Sequence, residues 1–154
     1  MDPHGGLSKL HAKKTTLDEM VKPFAGIFSG NGAPAVMVSH VMVTALDNQR
    51  IASLSRPVIQ GWLLDELDFK GIVLADDFTM GAVSASGLSP ALAAVEALSA
   101  GVDMIMVWPD NIIPVHASIL KALKDGRLSR ERLLEAAGRI IAGKLRYGIV
   151  AFSE

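Results

Sequence analysis

The chain contains no cysteine. That excludes a disulfide framework, a thiolate zinc site and a catalytic thiol, and it leaves the redox compartment unreadable from cysteine usage. Net charge is almost absent as well: 15 Lys and Arg stand against 16 Asp and Glu, a formal charge of -1, and the basic residues are scattered. Such a surface has no electrostatic footprint for nucleic acid or an anionic membrane. No apolar run approaches the roughly 18 residues that a membrane-spanning helix needs, and the opening MDPHGGLSKLHAKK lacks the charged-then-apolar pattern of a signal peptide. As written, the chain is expected to be cytoplasmic. Repeats and low-complexity segments are also missing, so 1–154 reads as one unit.

What is abundant is apolar surface. Half of the 154 residues are hydrophobic and the mean hydropathy is +0.35, high for a soluble domain of this size. Three short apolar runs, APAVMV (33–38), GIVLA (71–75) and DMIMV (103–107), do not alternate with polar residues, which predicts parallel strands covered on both faces. Helical patterns lie between and after them. TTLDEMVKPFAGIF (15–28) spaces Leu17, Met20, Val21, Phe24 and Ile27 on one side, with Pro23 expected to kink or shorten it. SRPVIQGWLLDEL (55–67) and SPALAAVEALSAG (89–101) start on Ser55 and Ser89 with a proline in the first turn, and the second ends on Gly101. IIPVHASILKALKDG (112–126) and SRERLLEAAGRIIAGKLRYG (129–148) follow, the latter with a stripe of Leu133, Ala137, Ile140, Ile141 and Leu145. Strands some 30 to 40 residues apart with helices between them are βα units of a parallel sheet, an α/β fold.

In such folds functional groups collect at the carboxyl ends of the strands. GIVLA runs straight into Asp76 and Asp77. Neighbours on an extended chain point to opposite sides, so one carboxylate is expected to face the functional end and the other to make a structural contact; capping of a turn by one aspartate and solvation of the other is the plainer alternative. A second polar group, DPHGGL, sets Asp2 and His4 in an Asp-x-His spacing on a glycine-rich loop. An aspartate beside an imidazole can fix its tautomer and make it a proton shuttle. His40 in MVSHV follows the first strand and reads as a ligand contact or, better, as a hydrogen-bonded wall; Trp108 after the third strand is a sugar platform or plain packing. His11 and His116 read as surface residues, and Asp103, before its strand, is expected to tie the turn after Gly101. A pair of aspartates after a strand also suits a Mg²⁺-binding phosphoreceiver, but that arrangement wants the pair near the first strand, a third aspartate and a late lysine, which the chain does not supply.

Together, DPHGGL, APAVMVSHVMVTALD with ASLS following, DFKGIVLADDFTMGAV, ALSAGVDMIMV and GRLSRERLLEAAGRIIAGKLRYG resemble the N-terminal catalytic domain of the family 3 glycoside hydrolases, in its β-N-acetylglucosaminidase branch. The resemblance runs in the family's order across essentially the whole chain. It implies a partial TIM-like (β/α) barrel, about the last three strands with their helices, and a retaining β-N-acetylhexosaminidase. Asp76 maps onto the nucleophile of a pattern like GV-x-x-[ST]-D-D-x-x-M, with Ala75 in place of Ser or Thr. His4 maps onto the general acid/base and Asp2 onto the residue that orients it, with Pro3 in place of a small polar residue. His40, Met80 and Trp108 are placed around the sugar, and no metal or cofactor is required.

The resemblance also implies a chain that starts after the fifth barrel strand, without the Lys-His-Phe-Pro-Gly-His-Gly segment that helps hold the sugar. Met1 would then be internal or a truncated start, and any signal or lipoprotein anchor of a secreted parent would precede it. A half-barrel is expected to expose strand edges and an inner face, to be weakly active or inactive alone, and to act in peptidoglycan or cell-wall sugar turnover. The competing expectation is a non-enzymatic half-barrel that forms a homo-oligomer or docks onto a separate N-terminal half.

Overall fold

The computed structural model of the chain describes residues 2, 4–28 and 32–151; Met1 and Pro3, on which two of the readings above fall, lie outside them. Three parallel strands form the main sheet in the order β2 (Ala35–Val38), β4 (Ile72–Asp77), β5 (Met104–Met106). These are the three apolar runs. Two further strands that periodicity did not announce, β1 (Ser8–Leu10) and β3 (Val41–Val43), pair in parallel with each other, Ser8 opposite Val41. Three-residue strands are too short to carry a pattern, and their pairing joins segments more than thirty positions apart.

The helices are α1 (Lys14–Phe28), α2 (Gly81–Ala85), α3 (Pro90–Ala100), α4 (Pro109–Lys124) and α5 (Arg130–Arg146). Ser89 and Ser129 cap α3 and α5 by accepting the N–H groups of Leu92 and Arg132. Gly101, Gly126 and Gly148 follow helix ends at positive φ, a region that costs glycine little. Pro23 does not break α1, which runs through it. Helix α4 starts three residues earlier than expected, with Pro109 in its first turn. The segment Pro57–Glu66 is a π-helix, in which Leu67 N–H reaches back five residues to the Trp62 carbonyl at 2.9 Å. Ser55 still serves its start, accepting the Val58 N–H at 3.3 Å while its hydroxyl donates to Asp47 at 2.7 Å.

The core lies on the helical side of the sheet. Val38, Val73 and Ala75 meet Ile51, Leu54, Val58, Ile59, Phe69 and Val83 there, and α3 buries Ala93, Ala94, Ala97 and Ala100 between this core and its neighbours. Coverage on both faces, expected from the unbroken apolar runs, is not what β2 and β5 have. Met37, Leu74 and Met104 stand in register across the other face, and Met37 is 54% exposed with Met104 and Met106 also open. Alternation was hidden in the sequence because both faces carry apolar residues, whereas only one is packed. The same holds for α1, where Met20, Phe24 and Ile27 are exposed and only Leu17 and Phe28 are buried. On α5, Ile141 points outward and Ala136 takes the buried place.

Asp103, expected to tie the turn after Gly101, instead joins β4 and α5. Its carboxylate is fully buried and receives Arg132 and, at 2.8 Å, Arg139, both from α5, while its second oxygen accepts the Val73 N–H of β4 at 3.0 Å. Arg132 also donates to the carbonyls of Leu98 and Val102. One carboxylate thus locks α5 to the amino end of the sheet, opposite the end at which Asp76 and Asp77 close β4.

Candidate active site

Strand β4 extends through both aspartates. Asp77 spends its side chain locally: Oδ1 accepts the Thr79 N–H at 2.9 Å and Oδ2 the Thr79 hydroxyl at 2.8 Å. This Asx turn swings the chain from β4 into α2. Asp76 is half-buried, and Oδ1 accepts the Asp77 N–H at 2.8 Å. Among the described residues no cation pairs with either carboxylate. Of the two, Asp77 engages both side-chain oxygens with Thr79, whereas Asp76 engages Oδ1 with the next backbone N–H.

His40 sits behind them, completely buried, its ring 5.3 Å from that of Phe78. Nε2 lies 3.0 Å from the Asp77 carbonyl, which can only accept, so Nε2 carries the hydrogen; Nδ1, 2.7 Å from Ser53 Oγ, then accepts from the hydroxyl. Burial pushes the imidazole below its ordinary value of 6.5, against the opposing pull of the Asp77 carbonyl and the Asp76 charge. A neutral ring with both nitrogens engaged acts as a brace. It holds the backbone at which Asp76 and Asp77 emerge. Ser53, its fixed partner, left no signal in the sequence beyond lying in the ASLS segment.

The Asp2-x-His4 group is drawn together on its loop. His4 Nδ1 is 2.6 Å from Asp2 Oδ1, and the same oxygen accepts the His4 backbone N–H at 2.9 Å. That backbone N–H, then the side-chain contact, holds the Asp2 carboxyl below its ordinary value, so it is a carboxylate and Nδ1 carries the hydrogen toward it. Nε2 takes no part in the Asp2 contact, and the ring is three-quarters exposed. The loop is fastened to the Asp76 turn: the His4 carbonyl accepts the Gly81 N–H at 3.1 Å, at the start of α2.

Met80 precedes that glycine and is buried. Trp108, between β5 and α4, is 65% exposed. Phe78 N–H donates to the Met106 carbonyl at 3.1 Å and so ties the carboxyl ends of β4 and β5 together. His11 and His116 are surface residues. The structure therefore brings Asp2, His4, His40, Asp76 and Met80 into one connected group, with Trp108 on the adjoining strand end.

The sequence profile described as the glycosyl hydrolase family 3 N terminal domain matches residues 2–142. A β-hexosaminidase of Tolumonas auensis is 34% identical over 112 residues, covering 73% of this chain and 32% of its own length. β-Hexosaminidase A of Pseudoalteromonas piscicida is 24% identical over 160 residues, covering 91% of this chain and 27% of its own. Among solved structures, a glycoside hydrolase family 3 β-N-acetylglucosaminidase from a Paenibacillus species superposes with a TM-score of 0.92 at 31% identity, over 100% of this chain and 30% of that one. CbsA from Thermotoga neapolitana gives 0.86 at 29% identity, over 92% and 33%. The chain thus spans about a quarter to a third of the proteins it resembles, and its open sheet is part of their barrel-like domain. With the profile running unbroken from the Asp2 loop through β4 and into α5, the chain belongs to glycosyl hydrolase family 3, within the N-terminal domain.

Proposed function

We propose that this chain carries the nucleophile and the acid/base of a retaining β-N-acetylhexosaminidase. The observation that carries the reading is the Asp2–His4 hydrogen bond on a loop pinned by the Gly81 N–H to the turn that follows Asp76. In the first step an Asp76 oxygen attacks the anomeric carbon, the glycosidic C–O bond breaks, and His4 Nε2 gives its proton to the departing oxygen. The now neutral His4 then takes a proton from water, whose oxygen displaces Asp76 and releases the sugar. Asp2 keeps the imidazole in the tautomer and orientation that both steps need. Trp108 has the exposed face on which a sugar ring can stack, while Met80 and His40 shape the wall behind Asp76. The β-linked N-acetylglucosamine specificity is supported by the names of the relatives above, and a place in peptidoglycan or other cell-wall sugar turnover belongs to the same proposal. Because the inner sheet face is open, the isolated chain is expected to be slow.

Release of chromophore from an aryl β-N-acetylglucosaminide, with and without Asp76→Asn, tests this. Turnover that vanishes in Asp76→Asn, and that falls by roughly 10²–10⁴-fold in His4→Ala, supports the assignment. Turnover that survives Asp76→Asn would refute the nucleophile, and no turnover in any form would refute catalysis by this chain alone. In that case the exposed Met37, Met104 and Met106 face favours the non-enzymatic reading, a half-barrel that associates with a copy of itself or with a separate N-terminal half.

A further inference from the structure

A β-carbon placed on Gly81 would lie 2.6 Å from the His4 carbonyl oxygen, 3.0 Å from the Gly5 carbonyl carbon and 3.1 Å from the Gly6 nitrogen. All three are backbone atoms of the loop that bears Asp2 and His4, and none can rotate aside as a side-chain tip would. Gly81 is not among the glycines at positive φ, so its own backbone does not require glycine. It opens α2, where alanine is the better helix former. The three nearest obstacles to a side chain at Gly81 thus all belong to the loop. Gly5 and Gly6, in contrast, meet no atom within 4 Å of an added β-carbon. The tight side of the contact is Gly81.

We infer that Gly81 is a positioning residue for His4: its bare α-carbon lets the loop backbone settle on the start of α2, where the Gly81 N–H captures the His4 carbonyl and sets the height of the imidazole over the carboxyl end of β4. The functional consequence rests on the glycosidase reading, and the docking itself rests on the contact alone. Gly81→Ala inserts a methyl into that contact and lifts the loop. Two residues upstream, Thr79 still closes its turn on Asp77, so Asp76 keeps its place while His4 moves.

The test compares the wild-type chain, Gly81→Ala and the control Gly138→Ala, whose added β-carbon meets nothing within 4 Å. Two-dimensional NMR of the His4 imidazole and the amides of residues 4–6 reads docking. Those signals move in Gly81→Ala and stay in the control; unchanged signals in Gly81→Ala overturn the inference. Hydrolysis of phenyl and dinitrophenyl β-N-acetylglucosaminides reads consequence. A misplaced acid lowers kcat/KM, which reports the first step, by about a hundredfold for the phenyl glycoside and far less for the dinitrophenyl glycoside, since that leaving group needs no proton; equal losses of kcat/KM on both would overturn the positioning role. If the wild-type chain cleaves neither substrate, the glycosidase reading fails while the NMR comparison still decides docking. Should Gly81→Ala not fold, a chain starting at Leu7 replaces it. Hydrogen exchange at the Gly81 amide must then be faster than in wild type, and equal exchange overturns the contact.

Discussion

Replacing Asp103 by alanine should be the most damaging single change at the amino end of the sheet. The carboxylate is fully buried and makes three contacts, with Arg132, Arg139 and the Val73 N–H. Losing the last leaves a donor without its acceptor inside the central strand, about 1–3 kcal/mol. The two guanidinium groups lose their shared counter-charge unequally. Arg139 is 32% exposed and can turn to water; Arg132 is 14% exposed, though it keeps the Leu98 and Val102 carbonyls and Glu135. Breaking a buried pair by deleting one partner costs about 3–5 kcal/mol, and the partial access of Arg139 puts this site toward the lower figure. In a chain of this size each kcal/mol moves the melting temperature by roughly 2–4 °C, so a loss of about 3 kcal/mol should lower Tm by roughly 6–12 °C. Thermal unfolding followed by circular dichroism measures it, with Asp103→Asn as a second leg that keeps an acceptor for Val73 but not the charge. A loss under about 1 kcal/mol, the range of an exposed ion pair, would refute the buried-hub reasoning.

Besides the Asp76→Asn and Gly81→Ala experiments, two expectations concern the frame of the site. His40 is held neutral by burial, below its unfolded value of 6.5, so the unfolded chain binds a proton that the folded chain refuses; that contribution is complete above pH 6.5 and is lost as pH falls through 6.5 toward the folded value. Tm measured from pH 7 to pH 5 should therefore drop, and His40→Gln, less stable overall, should show a flatter profile; parallel profiles would sink the assignment. The lowered carboxyls of Asp2, Asp47 and Asp125, whose ordinary value is 3.8, titrate below this window. Gly71→Ala should cost about 1–3 kcal/mol by overpacking, because its β-carbon would lie 2.7 Å from the Pro34 carbonyl and 2.6 Å from the Phe69 ring; a urea midpoint equal to wild type would show that β2 and β4 can part there without penalty.

What could be read from the chain alone followed the range of the forces involved. Caps and stops act within a turn, so Ser89, Gly101, Gly126 and Gly148 mark helix ends where the structure has them. Apolar periodicity told which face of α1 carries Met20, Phe24 and Ile27, but an apolar face is buried only if something covers it, and here it is not. Strand β1 and its partner β3 depend on pairing across the chain, and the π-helix at Pro57–Glu66 has no period of its own that a short window can display. The same division runs through the site. Asp76, Asp2 and His4 are local motifs, legible by residue type and by the family they resemble. Strand geometry predicts that one of Asp76 and Asp77 makes a structural contact, and it is Thr79, two residues later, that makes Asp77 the one. Ser53 and Gly81 are invisible because each is defined by what lies opposite: a buried imidazole thirteen residues back for one, the backbone of the loop near the amino terminus for the other. A glycine in DDFTMGAV carries no mark that distinguishes the chain's need for a turn from another segment's need for room. Only the approach of His4 to within hydrogen-bonding distance of its N–H makes that distinction, and it places the constraint on the loop rather than on the helix that Gly81 begins.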